Sequence, residues 1–146
     1  MYYVNRKQIE IILGQIPDIN TGLRAAAASW DGGTCMGLVQ ERCLHLAIEV
    51  VTDVGSSLID GFIMRDAGSY EDIISIIHEE KVFTDSGLYD LLIRLVALRK
   101  PLVQDYYVWQ RTALHPLAAS LPEALEQFGA AVHGYLDQEL GAQAPV

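Results

Sequence analysis

Apolar residues recur along this chain at intervals of three and four, and strict alternation over strand lengths is lacking, so helices are predicted throughout. Ile9, Ile12, Leu13, Ile16 and Leu23 form the apolar face of a first helix. It begins at Asn5, whose side chain can cap it, with Gln8 placed to answer as in a capping box. Pro17 is expected to kink or interrupt it. The alanine run Ala25 to Ala28 can continue it, and Trp30-Asp31-Gly32-Gly33 reads as a turn. A long second helix is predicted from about Met36 to Ile63. Leu44, Ile48, Val51, Leu58 and Phe62 share one of its faces, and His45, Glu49, Asp53, Ser56 and Asp60 share the other. Gly55 falls in the apolar stripe, where the lack of a side chain permits close approach of another helix.

Met64-Arg65-Asp66-Ala67-Gly68 breaks the pattern. Ser69, with Asp72 three residues later, is an N-cap pair for a short helix from Tyr70 to about Lys81, and Thr84 or Asp85 caps the next helix. That helix puts Leu88, Leu92, Leu95, Leu102 and Tyr106 on one face with Arg99 among them. Pro101 removes one of its backbone hydrogen bonds and clashes with the carbonyl of Ala97, so a kink beside Arg99 is predicted. The last helix repeats Leu114, Leu117, Leu121, Leu125, Phe128, Val132 and Leu136. Pro116 suits its first turn and Pro122 should bend it. The tail from Gly141 to Val146 is expected to fray. These elements predict an all-α, up-and-down bundle of about five helices, forming a single domain over residues 1–146 with no internal repeat and no dividing linker.

At 146 residues the chain fits one domain and can bury a core without staples. Cys35 and Cys43 have no Cys-x-x-Cys or His-rich company and read as reduced thiols. Charge arrives early, at Arg6, Lys7 and Glu10, and no apolar run approaches the roughly 20 residues that span a bilayer. A soluble, cytoplasmic protein with no membrane partner is therefore expected. The formal net charge of -9 argues against a broad electrostatic grip on nucleic acid. Any RNA contact has to be local, and the C-terminal half offers Arg94, Arg99, Lys100 and Arg111 for it.

Arg99 is the leading candidate for chemistry. A guanidinium does not lose its proton, so a place in an apolar seam demands a carboxylate, a phosphate or a partner subunit. Glu49 and Asp53 are the internal candidates for that carboxylate, unless the arginine packs its stem on the seam and reaches water with its head. His45, Glu49 and Asp53, spaced four apart, could point at one ion. Local ion pairs on a solvated face, or a polar layer that receives Arg99, explain them more simply. No metal and no cofactor are expected.

Asp53-Val54-Gly55 leading to Asp60-Gly61-Phe62-Ile63-Met64-Arg65-Asp66, then Gly68-Ser69-Tyr70-Glu71-Asp72-Ile73, and finally Leu98-Arg99-Lys100 with Leu102-Val103-Gln104 and Tyr106, carry a resemblance. With the order of the helices, they resemble the YutE branch of the HepT-like proteins of the HEPN superfamily, from Tyr2-Tyr3-Val4-Asn5-Arg6 to Glu139-Leu140-Gly141. The resemblance implies a HEPN-type bundle that forms a homodimer with the family motif of each subunit at a shared cleft. It further implies the toxin of a toxin–antitoxin pair, a metal-independent ribonuclease acting on RNA. The partner would be a nucleotidyltransferase antitoxin of the MntA type, which adds AMP units to the motif tyrosine.

The family motif reads arginine, four to six residues, histidine, one residue, tyrosine, and it falls here on Arg99, Gln104 and Tyr106. The resemblance makes these the catalytic candidates and Tyr106 also the candidate for regulatory modification; the binding candidates Lys100, one of the few C-terminal cations, and Glu49 and Asp53, the candidate partners of Arg99, come from the residues themselves. Gln104 stands where the motif has histidine. Imidazole moves protons near neutral pH and an amide does not, so Gln104 can orient a hydroxyl or hold a phosphate but is no general base. No other histidine, at 45, 78, 115 or 133, has an arginine five to seven positions before it. On an ideal helix Arg99 and Gln104 lie about 140° apart, whereas Arg99 and Tyr106, seven apart, share a face. Pro101 or a second subunit would have to reconcile the first pair. Packing at the bundle edge is the plain alternative for Tyr106. Two main functional classes follow: a HepT-type ribonuclease, or a HEPN module that binds a nucleotide or a nucleotidyltransferase without cleaving RNA. A purely structural dimer is the third.

Overall fold

The computed structural model describes residues 3–141, which form six α-helices and no strand. Helix α1 (Arg6–Leu13) starts where Asn5 Oδ1 accepts the backbone N–H of Gln8 at 3.0 Å. The chain breaks at Gly14 and Gln15, and α2 (Ile16–Ala28) follows with Pro17 in its first turn. Proline is tolerated there because first-turn N–H groups have no intrahelical acceptor. Pro17 thus interrupts the first predicted helix, and the expected five helical segments become six.

Helix α3 (Thr34–Gly61) is the spine of the bundle and packs against α1, α2, α4, α5 and α6. Its predicted apolar face is buried at Leu44, Ile48, Val51, Leu58 and Phe62. Gly55 is buried against α4 (Tyr70–Glu79), where an added Cβ would overlap Cγ2 of Ile73. Ser69 Oγ accepts the N–H of Asp72 at 3.0 Å and starts α4. Asp85 Oδ1 accepts that of Leu88 at 2.9 Å and starts α5 (Ser86–Ala97).

Helix α5 does not run on to Tyr106. It ends at Ala97, and a π turn over Lys100–Gln104 and a short 3₁₀ turn over Tyr106–Val108 lead into the connection to α6 (Leu117–Leu140). Leu88, Leu92, Leu95 and Leu102 are buried as the seam requires, but Tyr106 is not. Helix α6 runs through Pro122 with Leu117, Leu121, Leu125, Phe128, Val132 and Leu136 in the core. Buried Asn20 of α2 donates from Nδ2 to the carbonyl of Pro122 at 3.0 Å and ties the two helices. Of the expected frayed tail, residues 142–146 lie outside the described residues.

Candidate functional site

The site is built where α5 gives out. Pro101 has no N–H to offer the helix ladder, and the turn closes again in a wider register, with Asp105 N–H donating to Lys100 O at 2.9 Å across five residues. Single π turns of this kind cluster at functional sites. In a turn closed at that spacing, residues five apart come round to roughly the same side. The divergence expected of Arg99 and Gln104 on an ideal helix is thereby reduced within one subunit. Gln104 is exposed at the end of the π turn, and no hydrogen bond joins it to Arg99.

Arg99 finds no carboxylate. Among the described residues it forms no ion pair with Glu49, Asp53 or any other acid, so of the alternatives left open by the sequence the internal carboxylate is the one not seen. Its guanidinium lies over the ring of Tyr70, with Cζ 4.2 Å from the ring centroid. Among the described residues Nε is shut away from solvent with no acceptor, whereas Nη1 and Nη2 are not shut away and have no hydrogen-bond partner. Attraction between a guanidinium and an aromatic face satisfies part of the charge without neutralising it. The result is a fixed cation whose donating edge is free to take an external anion.

Tyr70 is itself held firmly. It is the first residue of α4, just after the Ser69 cap, and the loop before it is tied down by Arg65. Arg65 Nη1 and Nη2 each donate to Asp72 at 2.9 Å, and Nη2 donates to Glu79 at 3.0 Å. The guanidinium of Arg65, with the N–H of Gly68, holds the Asp72 carboxyl below its ordinary pKa of 3.8. A groove of about 500 Å³ passes Tyr70, between Ser56, Ile59 and Asp60 of α3 and the 66–70 loop. The sequence marks Tyr70 only as a helix start; its contact with Arg99 comes from another helix and leaves no local signal.

The other predicted site residues separate into two groups. Lys100 Nζ pairs with Asp105 Oδ2 at 2.7 Å across the π turn, so its charge is partly answered within the chain. Tyr106 is 61% exposed and meets Tyr107, 75% exposed, edge to face at 5.6 Å, so it is not packed at the bundle edge. Because α5 ends at Ala97 and the π turn gives way at Asp105, Arg99 and Tyr106 do not share the face of one regular helix. On α3, Glu49 Oε1 lies 3.5 Å from His45 Nε2, a local pair four residues apart. Burial and the neighbouring Glu49 raise the pKa of Asp53. Among the described residues no group of three His, Cys, Asp or Glu side chains is placed to hold a metal ion.

A second, smaller hollow of about 320 Å³ is walled by Pro101, Val108, Trp109, Leu114, His115 and Pro116. Trp109 and His115 stack there at 5.9 Å. His115 Nδ1 accepts the N–H of Leu117 at 3.1 Å. Burial, and then the charge of Arg94, lower its pKa below 6.5. His115 is therefore neutral at pH 7 with its ring proton on Nε2, a donor and not a base in this arrangement.

Comparison with known proteins settles the lineage. The family described as Ribonuclease HepT-like matches residues 30–128, which include the π turn. This chain is a HepT-like protein. It falls in the YutE branch of that family: it is 40% identical over 141 residues to the Bacillus subtilis (strain 168) protein named "Putative RNase YutE", across 97% of this chain and 96% of that one. The solved structure of the cytosolic protein YutE from Bacillus subtilis superposes with a TM-score of 0.84 at 39% identity, covering 100% of this chain and 98% of that one. The HepT-like bundle described above is thus the family fold. No helix among the described residues is long and apolar enough to cross a membrane.

Proposed function

We propose that this HepT-like protein is a homodimeric, metal-independent ribonuclease that uses Arg99 to hold and stabilise the reacting RNA phosphate. The observation that carries the reading is the guanidinium of Arg99: stacked over Tyr70, with no carboxylate partner among the described residues, and open at both Nη groups beside a π turn. A charge left unanswered by the chain is suited to a ligand's phosphate. The reaction is attack of the ribose 2′ oxygen on phosphorus with cleavage of the bond to the 5′ oxygen. The proton leaves the 2′ hydroxyl and ends on the leaving 5′ oxygen, giving a 2′,3′-cyclic phosphate and a 5′ hydroxyl.

Arg99 stabilises charge on the phosphate oxygens in the transition state, and the Gln104 amide orients the ribose hydroxyl or the phosphate. Without an imidazole at Gln104 the proton passes through water, so the reaction is slow. Dimerisation brings two such turns to one cleft. The exposed Tyr106, Tyr107 and Val108 beside the turn are the apolar and phenolic surface that a second subunit or an antitoxin can cover. The open phenol of Tyr106 is also reachable by an MntA-type nucleotidyltransferase, which fits its role as the modified residue of a toxin–antitoxin pair.

A second reading is favoured by one observation, the amide at Gln104: a HEPN module that binds a nucleotide or the nucleotidyltransferase without cleaving RNA. Cleavage of a mixed RNA pool in excess chelator, by the wild type and by Arg99→Ala, Gln104→Ala and Gln104→His, separates the two. Weak cleavage by the wild type, abolished in Arg99→Ala, supports the ribonuclease. No wild-type cleavage, with activity appearing only in Gln104→His, supports the binding module.

A further inference from the structure

We infer that Tyr70 is the positioning residue of the Arg99 site: its ring is the platform that sets the plane of the guanidinium and turns the two Nη groups toward the RNA phosphate. The inference rests on the ribonuclease reading for its functional consequence, but the stacking itself stands apart from it.

An arginine side chain has four flexible bonds, and one without an ion pair is ordinarily mobile. Here the guanidinium carbon sits 4.2 Å from the Tyr70 centroid, and Nε is covered with no acceptor in reach. Only the Nη edge can then meet an anion, and it meets it in one orientation. The platform is rigid because Tyr70 follows the Ser69 cap and the Arg65–Asp72–Glu79 cluster fixes the first turns of α4. The close approach of α3 and α4 at Gly55 sets where that turn stands. The Tyr70 hydroxyl forms no hydrogen bond among the described residues, and the contact with Arg99 is to the ring, so it depends on the aromatic face and not on the phenol.

The test compares Tyr70→Phe and Tyr70→Leu in the full chain with two readouts. In the first, the side-chain resonances of Arg99 are followed by NMR with ¹⁵N-arginine labelling. A proton over an aromatic face is shifted upfield, so the wild type and Tyr70→Phe should show the shift and Tyr70→Leu should lose it. In the second, steady-state RNA cleavage is measured in chelator. The guanidinium remains in Tyr70→Leu but no longer aims, so kcat should fall roughly three- to tenfold while KM changes less than about twofold. Tyr70→Phe should restore the wild-type kcat. A Tyr70→Leu protein that keeps the Arg99 shift, or loses it while keeping the wild-type kcat, overturns the inference. If the wild type cleaves nothing, the ribonuclease reading fails by itself. The platform is then judged by the first readout, with loss of the shift in Tyr70→Leu alone supporting it and persistence overturning it.

Discussion

Replacing Gly55 by alanine should destabilise the protein even though alanine is the better helix former. The new methyl would overlap Cγ2 of Ile73 and sit 3.6 Å from Cδ1 of Ile77. Ile73 is β-branched, 8% exposed and wedged between α3 and α4, so its Cγ2 cannot swing away and the helices must part by a few tenths of an ångström. Overpacking of this kind costs about 1–3 kcal/mol. Relief of the backbone entropy of glycine inside a helix returns about 1 kcal/mol. The net expectation is a loss of about 1 kcal/mol, read as a lower urea midpoint with an unchanged slope. Ile73→Ala alone should cost about 2–5 kcal/mol by leaving a cavity. In the double variant the methyl added at position 55 enters part of that space, so the combined loss should fall short of the sum by at least about 1 kcal/mol. A Gly55→Ala protein more stable than the wild type by about 1 kcal/mol, with additive effects in the double variant, would refute the close-contact reasoning.

Two further outcomes follow from the same geometry. Pro101→Ala restores the N–H that the helix lacks, which lets the π turn close as a regular α-turn. Stability should rise by on the order of 1 kcal/mol in a thermal melt while RNA cleavage falls, because Gln104 rotates away from Arg99. Asp72 and Asp85 are both held below their ordinary pKa, the first mainly by Arg65 and the second by the N–H of Leu88. A depressed carboxylate pKa means that the unfolded chain binds protons first, so stability is full above the ordinary carboxylate range and is lost as pH falls through it and below. Asp85→Asn keeps an acceptor for Leu88 but takes up no proton, so urea midpoints measured from about pH 7 down to about pH 3 should decline less steeply in it than in the wild type.

Much of the fold is legible in the sequence because it rests on local chemistry. The caps at Asn5, Ser69 and Asp85 are where the side chains place them, and the two faces of α3 follow the spacing of Leu44, Ile48, Val51 and Leu58. Pro17 is legible as a break but not as the first turn of a separate helix. The site is harder. Pro101 announces which hydrogen bond is lost, but nothing local says in which register the turn closes again, and the π turn depends on that register. The charge pattern points Arg99 at Glu49 or Asp53, because carboxylates are the usual partners of buried cations. The partner is instead an aromatic ring on α4, brought there by the α3–α4 contact at Gly55. Spacing misplaces Tyr106 for the same reason as Gln104: both positions are counted along a helix that ends at Ala97.

The most direct test of the account is the pH dependence of kcat/KM for RNA cleavage in excess chelator, measured on the wild type, Arg99→Ala and Gln104→His. Charge stabilisation by Arg99 without a general base predicts slow wild-type cleavage with no ionisation between about pH 6 and about pH 7.5. It predicts faster cleavage with a new inflection near the ordinary histidine pKa of about 6.5 in Gln104→His, and none in Arg99→Ala. Wild-type cleavage that titrates like a histidine, or that survives the loss of Arg99, would contradict it.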